Sequence, residues 1–81
     1  MEVRRTTHAN RQLKKLPKAE QMMIREAEKA LADWPQVTNV KRLKDRDDYR
    51  LRVGRYRVFF EIIDGAVVIT QITIRDERTY Q

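Results

Sequence analysis

Between Tyr49 and Ile62 the chain reads YRLRVGRYRVFFEI. Apolar and polar residues alternate on both sides of Gly54, and a period of two is the signature of a half-buried strand. Glycine at the first central position of a two-residue turn suits a type II′ hairpin. With Gly54-Arg55 as that turn, Val53 faces Tyr56, Arg52 faces Arg57, Leu51 faces Val58 and Arg50 faces Phe59. Tyr49, Leu51, Val53, Tyr56, Val58, Phe60 and Ile62 then share one side of the sheet. Arg50, Arg52, Arg57, Phe59 and Glu61 share the other.

The flanking segments complete the pattern. Asp64-Gly65, between FFEII and AVVITQITI, predicts a second hairpin with a type I′ turn. Upstream, MEVRRT reads as a short first strand, and Thr6 or Thr7 can cap a helix over residues 8–16. Pro17 interrupts that helix and suits the start of the next. Ala19, Met22, Met23, Ala27, Ala30, Leu31 and Trp34 recur at three- and four-residue intervals, predicting a second helix over residues 18–33 with this stripe turned to the core. Pro35 stops it. VTNVKRLK leads into the sheet and can hold a short extended piece, and DRDD is an acidic turn. The order predicts an α+β fold, β-α-α-β-β-β: an antiparallel sheet with a two-helix hairpin packed on one face. The opposite face is left to solvent or a ligand.

With 81 residues and no internal repeat or low-complexity segment, the chain reads as a single domain, residues 1–81. It has no cysteine, so disulfides and thiolate metal sites are excluded, and its lone histidine, His8, makes a histidine metal site or catalytic dyad a poor fit. Neither a metal nor an organic cofactor is expected. Absence of cysteine fits a reducing cytoplasm. No apolar run is long enough for a membrane span and the N-terminus lacks the apolar core of a signal peptide.

The formal net charge of +6 points to an anionic partner. Like charges opposite each other on a sheet are destabilising by some tenths of a kcal/mol. A face that tolerates Arg50, Arg52 and Arg57 together is therefore suited to meeting negative charge. Lys41, Arg42, Lys44 and Arg46, just before the hairpin, add to it. Guanidinium forks fit phosphate oxygens, and an aromatic such as Phe59 can stack on an unpaired base, so RNA is the expected ligand. Glu61 shares the face, either as a carboxylate able to take a proton or as a neutralising neighbour of the arginines.

LKKLPK, NVKRLKDRDDYRLRVGRYRVFFEI and the closing RDERTY resemble the RelE/ParE toxin superfamily, on its RelE side. The resemblance implies the toxin of a bacterial type II toxin–antitoxin module, neutralised by a cognate antitoxin. RelE-type members enter the ribosomal A site and cut mRNA without a metal; ParE-type members inhibit DNA gyrase, and a weakly active antitoxin- or RNA-binding member is a further alternative. Residue by residue, it implies that Arg57 serves the scissile phosphate and that Arg50 and Arg52 position the backbone and compensate charge. Arg75 or Arg78 would assist the leaving oxygen, and Tyr80 would stack on a base or take part in proton transfer. Where RelE carries lysines, this chain carries Arg50 and Arg52, whose guanidinium groups do not release a proton.

Overall fold

The computed structural model describes residues 1–43 and 48–74. The elements are β1 (Glu2–Arg5), α1 (Thr7–Lys14), α2 (Lys18–Ala30), a 3-10 turn (Leu31–Asp33), β2 (Val40–Arg42), β3 (Asp48–Val53), β4 (Tyr56–Ile63) and β5 (Ala66–Ile74). Thr6 caps α1: its Oγ1 accepts a hydrogen bond from the Ala9 amide at 3.1 Å. Pro17 (φ −56°) stands immediately before α2, where its missing amide hydrogen costs nothing. Trp34 turns to extended geometry (φ −48°, ψ 134°) ahead of Pro35, which ends the helical segment.

The five strands form one sheet in the order β1-β5-β4-β3-β2. The hairpin register agrees with the alternation: Val53 pairs with Tyr56, Leu51 with Val58 and Arg50 with Phe59. Gly54 has φ +57°, and at the second turn Asp64 and Gly65 both have positive φ (50° and 75°), the type I′ signature. The sheet is mixed rather than wholly antiparallel, because β1 runs parallel to β5 and joins it through the two-helix crossover. The extended piece around Val40 is a true edge strand, antiparallel to β3.

Both helices cover one face. Leu13, Ile24, Leu31, Tyr56, Val58, Phe60, Val67 and Ile69 are almost wholly buried between the layers, each large apolar side chain contributing about 1.5–3 kcal/mol. Trp34 closes one end, its ring edge-on to Tyr49 (centroids 4.5 Å apart) and to Phe60 (5.5 Å). The inward stripe of α2 differs from the expected one. Ile24 is fully buried and Ala27, Glu28 and Leu31 follow it inward, whereas Met22 is 67% exposed and Met23 42% exposed. Ala19 and Ala30 also face solvent. Among the described residues Glu28 is the one charged residue buried in this layer; its Oε1 lies 3.4 Å from Arg5 Nε.

Strand β5 carries a bulge. Phe59 pairs with Gln71 but Phe60 pairs with Ile69, so Thr70 is the extra residue. Thr70 Oγ1 donates to the Phe59 carbonyl at 3.3 Å. Beyond the end of β1, the Gln12 side chain on α1 accepts the Ile72 amide at 2.7 Å and covers the exposed strand edge.

Candidate nucleic-acid interface

Residues paired across a sheet project to the same side, so the register builds the uncovered face in rows. One row runs Lys41, Arg50, Phe59, Gln71 across β2, β3, β4 and β5. The next runs Arg52, Arg57, Thr73. A third runs Asp48, Glu61, Val68. Four cationic side chains and one aromatic thus occupy two adjacent rows on rigid strands.

Arg52 is exposed, and Arg50, Arg57 and Phe59 are half-buried. Among the described residues, Lys41, Arg50, Arg52 and Arg57 form no ion pair; the carboxylates that pair with arginines elsewhere include Glu2, Glu20 and Glu28. Arg57 Nε is buried and has no hydrogen-bond partner. A donor in that state costs about 1–3 kcal/mol relative to a satisfied one, and a shift of the Arg57 side chain toward the open face would let an anionic oxygen satisfy it. Lys41, Arg50 and Arg52, with Asn39 and Val40, line an open hollow of about 230 Å³ at the β2 edge. A second hollow, about 400 Å³, lies beside Phe59 over the bulge. The first hollow is lined by cationic side chains that pair with no carboxylate among the described residues, an arrangement able to accept an anionic group.

Arg50, Arg52, Arg57, Phe59 and Lys41 therefore come together as expected. Arg42 does not join them: it pairs with Tyr49, so strand alternation puts it on the helix side. Glu61 makes no ion pair with these arginines and instead sits opposite Asp48. Lys44, Arg46, Arg75, Arg78 and Tyr80 lie outside the described residues. Gln71 and Thr73 were not anticipated. Strict alternation from buried Val67 and Ile69 would turn both inward, and the bulge at Thr70 reverses them. Among the described residues no group of histidine, aspartate or glutamate side chains is arranged to hold a metal ion. None of their helices is long and apolar enough to cross a membrane.

Residues 3–79 match the family model described as the ParE toxin of the type II toxin–antitoxin system parDE. The chain belongs to the RelE/ParE toxin superfamily. It is thus a toxin of the type II toxin–antitoxin class. Among solved structures, the toxin resembles a chain of the archaeal RelE–RelB complex from Pyrococcus horikoshii, with TM-score 0.79, 27% identity, and 94% of this chain and 96% of that chain covered. It is also similar to a chain of the RelBE2 toxin–antitoxin complex from Mycobacterium tuberculosis, with TM-score 0.78, 32% identity, and 91% and 96% covered. The isolated E. coli RelE toxin shares the fold at 16% identity, with TM-score 0.78 and 98% and 90% covered. No curated protein matches the sequence.

Proposed function

We propose that the toxin is a ribosome-dependent endoribonuclease that cuts mRNA in the cytoplasm and is held inactive by an antitoxin. The observation that carries this reading is the unpaired Arg57 Nε at the centre of a cationic face, next to Arg52 and one row from Arg50. In the reaction the ribose 2′-oxygen bonds to the adjacent phosphorus and the P–O5′ bond breaks. Negative charge builds on the phosphoryl oxygens, and Arg57 stabilises it more in the transition state than in the ground state. Arg50, Arg52 and Lys41 hold the flanking phosphates, and Phe59 stacks on a base. The chemistry is metal-independent. Arg75, Arg78 and Tyr80 are assigned the leaving oxygen and the proton transfer. The ribosome supplies the alignment of the message. An antitoxin partner is supported by the complexes with RelB-type antitoxins in which the similar chains were solved.

Expression without antitoxin should arrest growth and leave messages cut within codons. Arg57→Ala should abolish both effects and leave the fold intact. Growth arrest with intact messages overturns the reading. The ParE description of the family model favours a second one, inhibition of DNA gyrase on the same scaffold. DNA-damage signalling without mRNA cleavage would select it.

A further inference from the structure

We infer that the hollow over the β5 bulge is a base-reading pocket that favours a nucleobase bearing an exocyclic amine over uracil. The inference rests on the RNA reading of the arginine face and adds to it the residues that tell one base from another. The cavity measures about 400 Å³ and is walled by Leu43, Asp48, Phe59, Glu61, Thr70 and Gln71, a size within the range of small-ligand sites. Its position is set by register. Phe59 is the cross-strand neighbour of Arg50 on one side and of Gln71 on the other. A strand of RNA held by its phosphates on Arg50, Arg52 and Arg57 therefore has a half-exposed aromatic ring beside it for one splayed base.

The polar groups around that ring differ in sign from the rest of the face. Glu61 follows Phe59 by two positions on β4 and projects to the same side. Its carboxylate has no ion-pair or hydrogen-bond partner among the described residues, whereas Asp48, opposite it, is already engaged. A carboxylate accepts hydrogen bonds and repels phosphate, so this end of the face suits base edges that donate. The Gln71 side chain is exposed and makes no hydrogen bond among the described residues, and its amide can both donate and accept. Carboxylate and amide together match an amine next to a ring acceptor, as on adenine or cytosine, and the carboxylate alone can accept from the adjacent amine and ring N–H of guanine. Uracil shows two carbonyls and a single ring N–H, and leaves the carboxylate poorly matched. The bulge makes the pocket possible, because without Thr70 as the extra residue Gln71 would point to the core.

The test is binding of the intact protein to labelled 2′-O-methyl RNA octamers, which cannot be cut. One is all uridine, and the others carry a single central A, C or G. The wild type should bind the amine-bearing octamers roughly tenfold more tightly than all-uridine. Glu61→Gln should bring that ratio close to one, and Phe59→Ala should weaken every octamer. Equal affinity for all octamers, with Arg57→Ala still weakening each of them, overturns the pocket and leaves the arginine face standing. Binding that ignores Arg57, or no binding at all, overturns the RNA reading and the pocket with it.

Discussion

Arg52 and Arg57 stand directly opposite each other across the β3–β4 hairpin, and neither has an acidic partner among the described residues. Two like charges in that position work against the fold, and the buried, unpaired Nε of Arg57 adds to the penalty. Sites arranged for a ligand commonly carry such a cost to stability. Replacing Arg57 with alanine should leave thermal stability unchanged or raise it by about 1 kcal/mol or less, while toxicity disappears. A large fall in Tm would show that Arg57 supports the fold.

Binding to single-stranded RNA should weaken steeply with salt. Lys41, Arg50, Arg52 and Arg57 can each displace a counterion, which gives a slope of log K against log salt of about −3. Each single alanine substitution among them should make the slope shallower by about 0.7. A slope near zero would mean that phosphates are not what these side chains meet.

The buried Glu28 predicts a pH effect of definite sign. Burial pushes its carboxyl above the ordinary value, with the Arg5 and Arg25 guanidinium groups pulling the other way. The folded state therefore keeps this proton to a higher pH than the unfolded chain does. The contribution is fully present below the ordinary carboxylate value and is lost as pH rises through the folded one. Glu28→Gln, which cannot ionise, should flatten the fall in stability as pH rises above the ordinary carboxylate range. An unchanged slope of Tm against pH in the variant would contradict the assignment.

Gly54 is required by its left-handed φ of +57°; an added Cβ would also lie 3.3 Å from Met23 Cε, the end of an exposed side chain that is free to shift. Gly54→Ala should lower stability by about 1–2 kcal/mol. Met23→Ala in that background should recover little of it, because the backbone strain remains. Full recovery, measured by denaturant unfolding, would place the whole penalty in the side-chain contact.

The hairpin was legible because a glycine turn and a period-two pattern leave one register in which Leu51, Val53, Tyr56 and Val58 all reach the core. The α2 face was harder to read. Met22, Met23 and Ile24 are consecutive, so spacing alone allows neighbouring faces to be chosen, and the true inward face includes a glutamate, Glu28. The parallel pairing of β1 with β5 leaves no local trace, since it depends on where the two-helix crossover returns the chain. The outward turn of Gln71 was hidden for a related reason: a bulge shifts the alternation by one residue, and Thr70 carries no mark of it in the composition. Arg42 was misplaced because charge density along the chain says nothing about which side of a strand a residue takes.

The account turns on whether Arg57 meets phosphate. The most direct measurement follows the arginine Nε–H resonances of the protein by NMR while an uncleavable RNA octamer is added. The Arg57 signal should shift strongly and its exchange with water should slow, with Arg50 and Arg52 moving alongside it. RNA that binds while the Arg57 Nε–H signal stays in place would contradict the central claim.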